Sequence, residues 1–475
     1  METKGLVLNG QSLIKSRTYP LHAPYDGRLL AHISMADPSD VTAAIAGAEA
    51  AFRHMRRLPA HRRAEILLRV ADGLARRKEE LARLVALEAG KPIRTARAEI
   101  DRAIQTYRFS AEEAKRIGGE TLPMDAAPGG EGRIGFTWRE PLGVVVAITP
   151  FNFPVNLVAH KLGPAFAAGN TVVLKPAEQT PLSALVVAEL FQEAGLPDGA
   201  LQVVTGSGSE LSDALITDPR VKKVTFTGSS AVGKAIKAKV GLRKCTLELG
   251  SNSAVIVEPD VPLEAVVPRC VEGAFSYAGQ VCISVQRIYV HEAVYEPFCA
   301  AFVERTRRLV VGDPLDEATD VGPMIREAEA ERIAAWIEEA VKQGARVLCG
   351  GGRRGALVEP TVLVDVTPEM KVQCQEAFAP VVSIVPYHEL DEAIALVNRS
   401  AYGLNVGLYT QNLSKAFAAA RVLEAGAVIL NDIPTFRADH MPYGGVKESG
   451  YGREGVKYAI QEMTELKLVV VKPIA

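Results

Sequence analysis

The chain has 475 residues, more than one hydrophobic core usually organises, so at least two domains are expected. Its 54 basic and 56 acidic side chains leave a net charge of −2, which excludes the broad basic footprint of a nucleic-acid binder. Six cysteines at 245, 270, 282, 299, 349 and 374 show no C-x-x-C spacing, which argues against a zinc centre or a disulfide framework and favours a reducing compartment.

In chain order, METKGLVLNGQSL lacks the apolar core of a secretory signal, and no run nears the ~18 apolar residues of a membrane span. A cytoplasmic protein without membrane attachment is expected. Residues 38–118 read as helical. DPSDVTAAIAGAEAAF opens on an Asp/Ser cap, and PAHRRAEILLRVADGLARRKEELARLVALEAG keeps apolar residues three and four apart. From 140 the rhythm changes to short β-branched runs, GVVVAITP, TVVLKP, ALQVVTG and KVTFTG. Helix-like NLVAHKLGPAFAAG, PLSALVVAELFQEAG and ELSDALITD separate them. This alternation predicts βαβ units and a mainly parallel sheet.

A second alternation begins after Glu248: SAVIVEP, a helical stretch through PRCVEGAFSYAGQVC, then QRIYVH, AERIAAWIEEAVKQG, ARVLCG, LDEAIALVNRS, NVGLYT and GAVILND. Two α/β domains joined near 248–252 follow. GGEGRIGFTWREP (129–141) and the terminal TELKLVVVKP are extended pieces outside both rhythms, suited to pairing with another subunit.

Three stretches carry chemistry. In KKVTFTGSSAVGKAIKAKV (222–240), Gly228 and Gly233 sit between a strand and a helix start, where free N–H groups and close backbone approach suit a phosphate; the same turn also serves as a plain helix start. In LKPAEQTP (174–181), Lys175 and Glu178 follow a strand, placed either to hold ribose hydroxyls or to form an exposed ion pair. FSYAGQVCISVQ sets Cys282 in a small apolar run, as a buried thiol or as a nucleophile.

Taken with TPFNFP (149–154), FTGS (226–229), LELG (247–250), GQVC (279–282), EAFAP (376–380) and PYGGVKESGYGREG (442–455), the chain resembles the aldehyde dehydrogenase superfamily. The resemblance implies two Rossmann-like α/β domains plus a small β oligomerisation element. The NAD-binding domain would take 1–118 and 142–248, the catalytic domain 249–455, and the oligomerisation element 119–141 and 456–475. It implies NAD as cofactor, with NADP possible, no metal, a small-molecule aldehyde as substrate, and a homodimer or homotetramer.

Carried over by position, the resemblance makes Cys282 the nucleophile, Glu248 the general base and Asn152 the oxyanion-stabilising amide. Gly228, Ser229 and Gly233 match the pyrophosphate turn. Lys175 and Glu178 match adenosine-ribose contacts, while Glu376 and Phe378 match residues near the nicotinamide. Thr149, Pro150, Phe151, Ala177, Gly208, Phe226, Thr227, Val232, Leu249 and Gly250 would complete the cofactor groove. Three departures bear on pocket shape: Gly250-Ser251-Asn252 for the usual Gly-Gly-Lys, Val281 where many members have another cysteine, and FAP for FGP at 378–380.

A thiolate would attack the carbonyl, and Glu248 would activate water to release the thioester as a carboxylate. Coenzyme A-acylating members generally lack this Glu. In the resembled fold Arg102, His160 and Arg437 face the aldehyde tunnel, which suggests a short anionic aldehyde bound through guanidinium pairs. Phosphonoacetaldehyde leads. Sulfoacetaldehyde, glyceraldehyde 3-phosphate, succinate semialdehyde and lactaldehyde follow. Alternatively, Arg102 and Arg437 pair with acids such as Glu99 and Asp439, outside the tunnel. A coenzyme A-acylating or a non-catalytic protein on the same scaffold are the rival readings.

Overall fold

The structure, a computed structural model, describes residues 2–473; the last two residues of the expected 456–475 segment lie outside it. Two twisted sheets carry the two α/β units. The first has eight strands, and its five central members, Lys244–Glu248, Val221–Thr227, Val144–Ile148, Thr171–Lys175 and Leu201–Val203, are all parallel. These strands are almost continuously apolar because helices cover both faces of the sheet.

From Val144–Ile148 the chain steps one way to Thr171–Lys175 and Leu201–Val203, then returns to the other side at Val221–Thr227. The order therefore reverses between Val144–Ile148 and Val221–Thr227. Such a switch point opens a crevice at the carboxyl ends of the strands. The segments that leave those two ends are Thr149–Asn152 and Gly228–Ser229.

The second sheet has seven strands, parallel except for the edge strand Arg346–Cys349, with Ala254–Val257 near its middle. A third, antiparallel sheet joins Thr121–Leu122, Ile134–Pro141 and Thr464–Val471; the last two pair over eight residues, from Thr464 opposite Pro141 to Val471 opposite Ile134. Two pieces of chain from beyond residue 441 rejoin the first unit. Gly450–Tyr451 pairs with Leu247 and Glu248 at the edge of the first sheet. The helix Val456–Glu462 packs on Asn156–Ala168 and Ile93–Ala114, with Val456 and Ile460 in that core. The β element of the C-terminus thus begins at Thr464, eight residues later than 456.

The expected helices over 38–118 form Pro38–Met55, Ala60–Arg76, Lys78–Ala89 and Ile93–Ala114. Asp37 caps the first by accepting from the N–H groups of Ser39 and Asp40, while Asp40 returns a bond to the Asp37 N–H. The helix expected to run through Cys282 stops at Phe275. Tyr277, Ala278 and Gly279 then take left-handed backbone, with φ of 49°, 53° and 67°.

Every residue of the helix Asn156–Ala168 is buried, so its free N-terminal N–H groups need protein partners. Glu99 supplies them: its Oε1 accepts from Val155 (2.9 Å) and Asn156 (3.1 Å). Its other oxygen pairs with the fully buried Lys91, whose ammonium lies 3.7 Å from the Phe153 ring centre and 4.7 Å from that of Tyr277. This knot fixes the turn between Asn152 and the helix. Among the described residues no helix is long and apolar enough to cross a membrane, and no cluster of three metal-ligating side chains exists.

Removing one member of a buried ion pair strands the other. Lys91→Met is expected to destabilise the fold by about 3–5 kcal/mol, read from the denaturant midpoint. A midpoint equal to wild type would show that the pair carries no net structural role.

Candidate active site

A groove of about 550 Å³ follows the switch point between the two units. Thr149, Pro150, Phe151 and Asn152 line it from one strand end, and Phe226, Thr227, Gly228, Ser229 and Val232 from the other. Ala177, Glu248, Leu249, Gly250, Cys282, Glu376 and Phe378 line it too. Ser229 caps the helix Ser230–Lys239, leaving that helix's N-terminus facing the groove.

Four expected cofactor residues stand off this wall. Glu178 is half-exposed; its Oε1 accepts from the Gly208 N–H at 2.7 Å and lies 3.9 Å from the Lys175 ammonium. Lys175, Glu178 and Gly208 therefore form one cluster at the groove's end. Lys175 is buried with no hydrogen-bonded partner, and burial lowers its pKa. Gly233 packs instead: a Cβ there would meet Leu249 Cδ2 at 2.4 Å, so glycine lets the helix close on the chain.

Cys282 lies at the inner end of the groove and is held there by its approach. Gly279 is obligatory, because a Cβ would lie 2.1 Å from the Ala379 carbonyl oxygen. Left-handed backbone at non-glycine residues persists only when surroundings over-determine it. Here the Tyr277 hydroxyl donates to the Ala89 carbonyl at 2.7 Å. Gln280 accepts from the Ile325 N–H through Oε1 at 2.8 Å, and its carbonyl accepts from Asn152 Nδ2 at 3.0 Å. That last bond uses one amide N–H of Asn152 and leaves the second without a protein acceptor among the described residues, with Asn152 Oδ1 also unpartnered on the groove that Cys282 lines.

Cys282 Sγ lies 3.0 Å from the Tyr443 hydroxyl. Burial pushes the thiol up to about 11, against the downward pull of Tyr443 and of Arg437; Glu376 and Glu248 push the same way as burial. Glu248 is 2% exposed, and neither carboxyl oxygen has a protein partner. Its pKa is well above the usual carboxylate range, by burial first and the neighbouring Glu454 second. An unpartnered carboxyl of raised pKa is what a base acting on water requires. Burial opposes the charge of Glu454, but Lys161 (3.0 Å) and Arg437 (3.2 Å) outweigh it and hold that group ionised. Glu376 accepts from the Ser251 N–H at 2.9 Å, and burial raises it to about 7. Phe378, at φ 47°, meets Phe151 edge to face.

A second cavity, about 190 Å³, reaches Cys282 from the other side. Arg102 and Arg437 both line it, with Phe153, Val281, Ile283 and Tyr443. Both guanidinium groups are also paired. Arg102 grips Asp439 through Nε (3.2 Å) and Nη2 (2.8 Å), whereas Arg437 pairs with Glu454 and lies over the Tyr443 ring at 3.7 Å. The pairing acids differ in part from those expected, since Glu99 belongs to Lys91. The Arg437 side chain is 6% exposed, and its Nε–H has no acceptor.

His160 does not reach either cavity wall. It lies behind Asp439, with Nε2 at 2.9 Å from Oδ1, and is fully buried. Burial lowers its pKa, so the neutral imidazole donates from Nε2 to the carboxylate. Asp439 also accepts from Asn156 Nδ2 at 3.1 Å, and His160 and Arg102 hold its carboxyl far below the usual range despite burial.

Tyr443 and Gln280 stand inside the quoted motifs PYGG and GQVC, yet sequence reasoning assigned them no role, because neither is a reacting group by type. Met324, Ile325, Arg326, Glu329 and Arg332 also line the groove, from a segment without any motif.

Residues 13–469 match the Aldehyde dehydrogenase family model. The chain is 52% identical over 466 residues to the 3-sulfolactaldehyde dehydrogenase of Priestia megaterium, covering 98% of this chain and 97% of that protein. Among solved structures it superimposes on aldehyde dehydrogenase 21 from Physcomitrella patens in complex with the reaction product succinate, at TM-score 0.97 and 40% identity over 99% of this chain and 98% of that one. It also superimposes on the glyceraldehyde-3-phosphate dehydrogenase GapN from Methanocaldococcus jannaschii complexed with NADP, at TM-score 0.93 and 40% identity over 97% and 100%.

The Tyr443 contact predicts a measurable shift. Below its pKa a thiol alkylates in proportion to its thiolate fraction, so Cys282 labelling by iodoacetamide should rise with pH through the range 7 to 10. Tyr443→Phe removes a donor to the thiolate, pushes that pKa further up, and should slow labelling at pH 8 by about tenfold. Equal rates in the two proteins would show that the hydroxyl does not act on the sulfur.

Proposed function

We infer a substrate class for this chain, which belongs to the aldehyde dehydrogenase family: a short aldehyde ending in an anion, with a sulfonate first. The enzyme is an NAD(P)-dependent oxidoreductase of small aldehydes. The observation that carries the finer reading is the buried Arg437 guanidinium, whose Nε–H lacks an acceptor on the wall of the cavity ending at Cys282. An orphaned, charged donor in a buried site calls for an anionic oxygen. Arg102 stands on the same wall, held flat by Asp439 and offering its remaining edge. The 3-sulfolactaldehyde dehydrogenase relative and the succinate-bound neighbour are both named for molecules with a terminal anion. That likeness supports a sulfonate, and then a carboxylate, over the phosphonate of phosphonoacetaldehyde.

The groove suits a nicotinamide dinucleotide. Gly228 and Gly250 let its wall pack closely: a Cβ on Gly250 would lie 2.1 Å from a Glu376 oxygen, and one on Gly228 would lie 2.5 Å from the Phe226 ring. Thr227 Oγ1 is buried without a partner, and Lys175 with Glu178 offers donors and an acceptor for ribose hydroxyls. The half-exposed Glu178 carboxylate disfavours a 2′-phosphate by charge, which supports NAD over NADP. When bound, the dinucleotide supplies the hydride acceptor.

In this reading the Cys282 thiolate forms the C–S bond, and the carbonyl electron pair moves to oxygen. The free N–H of Asn152 and the Cys282 backbone N–H receive that oxyanion; removing one such donor costs on the order of 10²–10³ in rate. After oxidation, Glu248 takes a proton from water. The water oxygen attacks the acyl carbon, the C–S bond breaks, and sulfur leaves as thiolate with a carboxylate as product. The antiparallel sheet completes the proposal: Thr464–Val471 has one paired edge only and exposes Leu466, Leu468, Val470 and Val471, which suits a homo-oligomer.

A steady-state panel of 3-sulfolactaldehyde, sulfoacetaldehyde, phosphonoacetaldehyde, succinate semialdehyde and propanal tests the substrate. A sulfonate should lead in kcat/KM, and Arg437→Leu or Arg102→Leu should raise KM for anions by about 10- to 100-fold while moving propanal little. Propanal leading, or equal effects on all five, would refute anion recognition. For the assembly, Leu466→Lys with Leu468→Lys should reduce the mass seen by light scattering to a smaller species; a wild-type protein that is already a single chain would refute the oligomer.

A further inference from the structure

A third recess, about 310 Å³, opens in the second unit away from both cavities that meet at Cys282. Its polar lining is Asn252, Arg287, Tyr289, Gln373, Arg399 and Ser400, and no Asp or Glu lines it. Arg287 stands on the strand Arg287–His291 and is only 5% exposed. Its Nε donates to the Asn252 carbonyl at 2.7 Å and its Nη1 to the Tyr289 hydroxyl at 3.3 Å. Among the described residues no carboxylate pairs with it, and Nη2 has no protein acceptor.

A charge this deep is costly unless an opposite charge reaches it. Most deeply buried cations of the chain meet that demand inside the protein: Lys91 through Glu99, and Lys161 and Arg437 through Glu454. Arg287 meets it only with neutral oxygens, and it faces a recess. Arg399 adds a second guanidinium at the rim, where an exposed bond to Glu369 at 3.0 Å leaves it free to turn inward. Beside them, the Tyr289 hydroxyl accepts from Arg287 and from Gln373 Nε2 (3.1 Å), which leaves its own proton to donate, while Ser400 Oγ donates to Asn252 Oδ1 at 2.7 Å and holds that amide in place.

We propose that this recess binds a small oxyanion, a phosphate or carboxylate group, at a site separate from the aldehyde tunnel. No residue lines both this recess and the cofactor groove, but two chain segments run from one to the other. Gly250 and Glu376 line the groove, while Asn252 and Gln373, a few residues along the same two segments, line the recess. Asn252 Nδ2 ties the two segments together by donating to the Gln373 carbonyl at 3.0 Å.

The exposed Cys374 thiol lies on the recess wall and serves as the reporter. Alkylation by N-ethylmaleimide, followed at the Cys374 peptide by mass spectrometry, is measured with inorganic phosphate, with acetate, and with chloride at matched ionic strength. Phosphate or acetate should slow Cys374 labelling where chloride does not, and the stronger of the two identifies the ligand class. Protection should persist in an Arg102→Leu/Arg437→Leu protein, which separates this site from the tunnel. It should weaken about tenfold or more in Arg287→Gln, and also in the surface variant Arg399→Ala should the first not fold. Equal protection by chloride, protection by neither oxyanion, loss in the tunnel double variant, or retention in both arginine variants would overturn the proposal. No turnover is measured, so the outcome is independent of the aldehyde assigned above.

Discussion

The position of one sulfur atom depends on a backbone that the chain would not adopt alone. Three consecutive left-handed residues, two of them carrying side chains, turn the chain just before Cys282. Isolated, that run is unfavourable by a few kcal/mol. It survives because bonds from three directions meet on it: Tyr277 to the Ala89 carbonyl, Gln280 to the Ile325 N–H, and the Gln280 carbonyl to Asn152. Asn152 is in turn fixed by the turn that Glu99 and Lys91 anchor at the head of the buried helix. Cys282 and Asn152, the proposed nucleophile and oxyanion donor, are thus positioned by one continuous set of contacts spanning both units.

The electrostatics around that sulfur follow a single rule. Burial disfavours every charge, and the groups that remain ionised are those given a fixed partner. Asp439 has Arg102, His160 and Asn156 around it, and Glu454 has Lys161 and Arg437. Cys282 and Glu248 have no such cation in contact, so both are pushed toward their neutral forms. The two groups proposed to react are the ones whose protonation is left open to change.

Much of this was legible in the chain alone, because glycine spacing, β-branched runs and an Asp-capped helix are local features. The strand ends that carry Thr149–Asn152 and Gly228–Ser229 fall where the alternating pattern predicted. What escaped was set by distant contacts. The helix ending at Phe275 depends on the carbonyl of Ala379 and on Ala89, neither near in sequence. His160 has the residue type of a tunnel ligand, yet its direction is decided by Asp439, 279 residues away. Arg287 looks like an ordinary strand residue, and only the fold shows that among the described residues no acid pairs with it.

The edge of the first sheet is closed by Gly450–Tyr451, which pairs beside Glu248, and the helix Val456–Glu462 belongs to that unit's core. Arg437, Tyr443 and Glu454 come from the same late stretch. During synthesis on the ribosome, the first unit therefore waits for almost the entire polypeptide before its own sheet is complete. A prematurely terminated product ending before this stretch would contain the thiol and the carboxylate but lack the surroundings that govern them. Truncation products are in this way denied the assembled surroundings of Cys282 and Glu248 by the order in which the fold is threaded.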